Sequence, residues 1–147
     1  MIDFSVNQLA GKTIESRHWR SWLNQVALAA RFSRRAELSI AVVSAAAMQR
    51  LNRQYRGKDR PTDVLSFAER DSRDRLPKRL AVEPLGEVII CYPKAVAQAR
   101  AHGRPLLDEI QRLFVHGVLH LLGYDHQTSG DAARMEGLER KILKQET

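Results

Sequence analysis

His116-Gly117-Val118-Leu119-His120-Leu121-Leu122-Gly123-Tyr124-Asp125-His126 is the stretch from which the fold can be worked out. His116 and His120 are four residues apart, so on a helix both imidazoles project from one face, one turn above the other. Val118, Leu119, Leu121 and Leu122 fill most of the remaining positions. A helix that is apolar on nearly every side belongs against a sheet, and that burial would hold both rings in fixed rotamers. Gly123 follows the apolar run in the place of a left-handed C′ residue that ends the helix. The chain then turns back and can bring His126 towards the other two rings. Three imidazoles meeting at one point suit a divalent transition metal such as zinc. They leave a fourth tetrahedral position open, as in catalytic rather than closed structural sites.

The spacing H-x-x-x-H-x-x-G-x-x-H is the metal frame of the metzincin proteases, in which a catalytic Glu follows the first His. Gly117 occupies that position here. The frame is present without the protease's general base, so peptide hydrolysis by that route is not expected.

Outward from this stretch, Pro105 opens its helix, which runs through Leu106, Ile110, Leu113 and Phe114. Leu85 to Cys91 precedes it as the last strand, and Pro93 suits the first turn of the helix between them, carrying Val96, Ala97 and Arg100. At the N-terminal end, Ile2 to Val6 alternates as a half-buried strand. A helix from near Ser16 puts Trp19, Trp22, Leu23, Val26 and Ala30 on one face. Arg31, Arg34 and Arg35 are expected to close it, where cations complement the helix dipole.

Glu37 to Val43 reads as a central strand. Ser44 caps the next helix, with Ala47, Met48 and Leu51 buried and Gly57 as its stop. Lys58 to Asp63 is polar and turn-prone, and Val64 to Phe67 is a short strand. Glu69 to Glu83 carries Arg70, Arg73, Arg75, Lys78 and Arg79 and reads as a long basic loop. After His126, Ser129 or Asp131 starts a final helix with Met135, Leu138, Ile142 and Leu143 as its apolar face. The order is β-α-β-α-β-β-α-α-α, and two of the strand links pass through helices. The prediction is an α+β fold: a small mixed sheet of about four strands with packed helices, one of them buried and carrying the histidines.

At 147 residues the chain reads as one domain, 1–147, with enough length for a substantial core. Lys and Arg number 24 against 17 Asp and Glu, a net charge of +7 that favours a polyanionic partner, nucleic acid first. The single cysteine, Cys91, permits no intrachain disulfide and closes an apolar strand as a buried, inert thiol. No apolar run reaches membrane-spanning length, and no signal peptide is read at the N-terminus, so a cytoplasmic protein is expected.

Tyr55-Arg56-Gly57-Lys58-Asp59-Arg60 packs three cations into six residues at a helix end. If the segment faces the metal, Arg56 can hold a phosphodiester bidentately, with Lys58 as an added point charge. The other reading is a solvated loop with salt bridges to Asp59 and Asp63. Asp125, beside His126, has three readings: orienting an imidazole, acting as a base, or capping the turn. Tyr124 reads as packing. His18 and His102 read as surface or helix-end residues.

Taken together, two segments resemble the YbeY family of metal-dependent endoribonucleases: Leu51 to Phe67 (LNRQYRGKDRPTDVLSF) and His116 to His126. Leu85 to Ile90 resembles that family's third block. The resemblance implies that His116, His120 and His126 hold one zinc ion and that Arg56 is the active-site arginine. It implies a small α+β domain that cleaves single-stranded RNA and serves small-subunit ribosomal RNA maturation and ribosome quality control. Ribosomal RNA, the small ribosomal subunit, ribosomal proteins and a GTPase are the implied partners, with no membrane. This chain departs from the family pattern at Ala68, where Pro is frequent, and in the basic loop that follows. Two other functions compete: a ribosome assembly factor whose metal is structural, and a metal-dependent hydrolase of small molecules or peptides. The open coordination position argues against the first; Gly117 and the charge of +7 argue against the second.

Overall fold

In a computed structural model, which describes residues 1–69, 82–125 and 127–144, the sheet is built on parity. Four strands, β1 (Ile2–Gln8), β2 (Ala36–Val43), β3 (Val64–Ala68) and β4 (Glu83–Cys91), lie in the order β1-β2-β4-β3. The first two pairings are parallel and β3 runs antiparallel to β4. Because side chains alternate across a sheet, neighbouring residues serve opposite faces. Ile2, Ala36, Leu38, Ile40, Val42, Val88 and Ile90 join the larger core. Ala41, Val43, Leu65, Ile89 and Cys91 join a smaller one on the reverse face.

Five helices cover these faces unequally. α1 (Ser16–Ala29), α4 (Leu106–Leu121) and α5 (Ser129–Lys144) bring Trp19, Phe114 and Met135, among others, to the larger core. α3 (Tyr92–Ala101) contributes Ala95 to the same side. The other face has only α2 (Ala45–Arg56), through Met48. It covers the end of the sheet carrying Val43 and Cys91, and leaves Asp3, Ser5, Glu37 and Ser39 exposed. Glu87 lies on this face, partly covered, and burial raises its carboxyl pKa above the usual value. Among the described residues no helix is long and apolar enough to cross a membrane.

The predicted α+β order and the mixed four-stranded sheet are what the structure shows, with β2 internal. Three details differ. Arg31, Arg34 and Arg35 lie beyond α1 rather than in its last turn. Arg31 takes left-handed geometry (φ 55°), and Phe32 N–H bonds back to Ala27 O, which stops the helix earlier. Arg34 instead pairs with Glu83 at 3.1 Å. In α3 the buried positions are Ala95 and Ala99, while Ala97 is exposed. Finally, the second helix buries Asn52 beside Met48. The basic segment 70–81 lies outside the described residues.

α4 is the element that positions the site. Its end has the bonding pattern Gly123 was expected to provide: φ is 106°, Gly123 N–H bonds His120 O, and Tyr124 N–H bonds Leu119 O. Gly117 faces the sheet, where a Cβ would stand 2.8 Å from Val88 Cγ1 and 3.5 Å from Val64 Cγ2. The glycine therefore sets how closely the helix approaches β3 and β4. His116 and His120 project to a different side of α4, past the sheet edge formed by β3.

Candidate metal centre

His116 and His120 meet as their spacing requires. Their ring centroids are 4.7 Å apart and their Nε2 atoms 3.2 Å apart. Two imidazole nitrogens bound tetrahedrally to one zinc, at about 2.0–2.1 Å each, stand about 3.3–3.4 Å apart. The observed separation is close to that geometry and is also a hydrogen-bonding distance between the two rings.

The other nitrogen of His116 is engaged as well. Nδ1 lies 3.0 Å from Oε1 of Glu139 on α5. An ionised carboxylate only accepts hydrogen bonds, so Nδ1–H is the donor in this contact, and in the neutral ring that leaves the lone pair on Nε2, towards His120. A histidine fixed in this way by a carboxylate is the recurrent arrangement behind metal ligands. Among the described residues no cluster of three or more metal-ligating side chains forms. The predicted third ligand, His126, lies outside the described residues.

The pair opens onto a cleft of about 810 Å³. Arg56, Lys58 and Arg60 line it together with His116, His120 and Asp125, so the cationic segment and the histidines share one cavity. α2 holds that segment in place. Gly57 leaves the helix with φ 70°, and its N–H bonds Arg53 O. Asn52 Nδ2 donates to Arg60 O at 2.8 Å and Gln49 Nε2 to Asp59 Oδ1 at 3.0 Å. Residues 49 and 52 stand three apart on one helix face, so both reach the same loop. Arg56 donates from a guanidinium nitrogen to Ser66 O at 3.3 Å on the outer edge of β3.

The salt bridges of the solvated-loop reading are present only in part. Arg53 pairs with Asp59 at 3.6 Å, an exposed contact worth little. Asp63 makes no ion pair among the described residues. It accepts from Val64 N–H at 2.7 Å and from Gln98 Nε2 at 3.2 Å, tying the loop to β3 and α3. Asp125 accepts from Gln127 N–H at 3.2 Å, the local turn bond that was one of its three readings.

Tyr124 packs against the larger core. His18 stacks on Trp22, and His102 ends α3, both away from the cleft. Cys91 is buried, and burial pushes its thiol pKa up, away from reactivity. Sequence reasoning missed Glu139, Asn52 and Gln49. The available signal was positional: Glu139 interrupts the apolar face of α5 between Met135 and Ile142, and Asn52 interrupts that of α2 after Met48.

This architecture defines a class: small α+β proteins with an imidazole pair on a buried helix, opening at the edge of a mixed sheet. A family profile described as Endoribonuclease YbeY matches residues 4–147, and the chain belongs to the YbeY family. A protein of that name from Alkalilimnicola ehrlichii is 44% identical over 128 residues, covering 85% of this chain and 74% of its relative. One from Halorhodospira halophila is 38% identical over 146 residues, covering 97% and 90%. Among solved structures, a Thermotoga maritima protein determined in solution shares the fold. Its TM-score is 0.61 at 25% identity, over 98% of this chain and 87% of that one.

Proposed function

We propose that this chain is a zinc-dependent endoribonuclease that cuts single-stranded RNA in the cytoplasm, in small-subunit ribosomal RNA maturation and ribosome quality control. One observation carries the reading: the paired Nε2 atoms of His116 and His120 share a cleft with Arg56, Lys58 and Arg60. Imidazoles arranged for a metal, facing cations arranged for phosphate, suit phosphodiester chemistry. The names of the relatives point the same way.

In this reading His116 and His120 hold the metal together with His126, and Glu139 keeps the His116 lone pair on Nε2. A zinc ion there supplies Lewis-acid stabilisation of charge on the scissile phosphate. Arg56 binds that phosphate through its planar fork, exchanging its bond to Ser66 O for charge-assisted bonds to the substrate. Lys58 adds a mobile positive charge at the same wall. Asp125, at the wall of the cleft, accepts from Gln127 N–H.

The test is cleavage of a labelled single-stranded RNA by metal-loaded protein, beside identically purified His120→Ala and a chelator-treated control. Cleavage by the wild type alone is expected. Arg56→Ala should lose about 100-fold or more in kcat while keeping its zinc, in line with the removal of a transition-state donor. Equal cleavage in all samples would refute the reading and leave RNA binding without catalysis as the function to pursue.

A further inference from the structure

The chain has two tryptophans, three tyrosines and four phenylalanines, all in the described segments, and only Tyr55 is more than half exposed, at 56%. A lone exposed aromatic is ordinary on a protein surface. The surroundings of this one are not. Tyr55 directly precedes Arg56, which lines the cleft, and Lys58 and Arg60 follow within five residues. Neighbouring residues on a helix point about 100° apart and do not normally face one another. Here both lean on the same ring. Tyr55 meets Phe67 edge to face, with centroids 5.1 Å apart and planes at 63°, and the Arg56 guanidinium carbon lies 5.7 Å from the Phe67 centroid. Phe67 is itself partly buried and packs against the reverse-face core. An aromatic pair of this geometry orients the outer ring without covering it. Tyr55 is thus a fixed, wet aromatic surface beside a phosphate-binding fork.

We propose that Tyr55 is a stacking platform for a nucleobase of single-stranded RNA, next to the nucleotide whose phosphate Arg56 holds. This rests on the reading of the cleft as an RNA site and adds to it the means of selecting single strands. Every base offers a π face, so the contact tolerates any sequence, with the larger purines gaining most. In a duplex those faces are already stacked on their neighbours, and Tyr55 has nothing to take.

The experiment compares fluorescence anisotropy of two labelled oligomers of equal length, one of adenosine and one of abasic sugars. Each is titrated with wild type, Tyr55→Ala, Tyr55→Phe and Arg56→Ala, as purified with their metal. The wild type should bind the adenosine oligomer more tightly. Tyr55→Ala should weaken that binding about 5- to 100-fold and leave the abasic oligomer unaffected, whereas Tyr55→Phe should behave as wild type. Arg56→Ala should weaken both oligomers alike. An unchanged adenosine affinity in Tyr55→Ala, or an equal loss on both oligomers, would overturn the platform while leaving the RNA site standing. Failure of the wild type to bind either oligomer would overturn the RNA site and the platform together.

Discussion

A single carboxylate decides which nitrogen of His116 meets the cleft. Glu139 Oε1, 3.0 Å from Nδ1, orients the ring and favours the tautomer with its proton on Nδ1. Glu139→Ala should therefore weaken zinc binding about 10- to 100-fold, read by competition with a coloured chelator, with circular dichroism unchanged. Glu139→Gln can still accept the bond through its side-chain oxygen and should lose less. Wild-type affinity in both variants would show the contact to be incidental. The histidines were legible from spacing alone, because four residues make one helical turn whatever surrounds them. Glu139 was not, since its partner lies 23 residues away and only the packing of α5 on α4 joins them. Asn52 and Gln49 were hidden for a related reason: each bonds a loop whose path back along α2 no local pattern specifies.

At the scale of elements, α4 combines two demands that conflict at Gly117. The helix must lie close to the sheet so that its next face reaches past β3, yet a glycine inside a helix costs about 1 kcal/mol relative to alanine. Val88 Cγ1, 2.8 Å from where a Cβ would stand, explains why the cost is tolerated. Val88 is fully buried and β-branched, so it has little room to move. Gly117→Ala should lower stability by up to about 2 kcal/mol, overpacking outweighing the helix-propensity gain; urea unfolding measures it. A stabilised variant would mean the core yields more easily than this packing suggests. The glycine was informative in the sequence as a missing protease base. Its packing role depends on which face of α4 meets the sheet. Element order was legible throughout, because alternation in the strands and a 3.6-residue period in the helices leave few ways to divide the chain. The arginines after α1 were misplaced because Arg31, rather than a glycine, takes the left-handed position there.

At the scale of the molecule, charge among the described residues is sorted by location as well as by total. A hollow of about 350 Å³ on the uncovered part of the reverse face is lined by Asp3, Glu37 and Glu69, whereas the cleft at the histidines carries Arg56, Lys58 and Arg60 beside Asp63 and Asp125. A polyanion that reaches the cleft meets three cations there, and the net charge of +7 favours its approach. Affinity for single-stranded RNA should fall with salt, with a log–log slope of about −0.7 for each phosphate contacted. Lys58→Ala should flatten that slope by about 0.7, and Asp3→Ala should leave it unchanged. A common slope for all three proteins would place the RNA elsewhere. The link between His116 and Glu139 also has a consequence in time. Chains are synthesised from the N-terminus at about 5–20 residues per second, so both rings exist before the carboxylate that orients one of them. A product that stops short of residue 139 carries the histidines without the carboxylate that contacts His116. α5, made after both rings, thus serves as a completion mark for that contact.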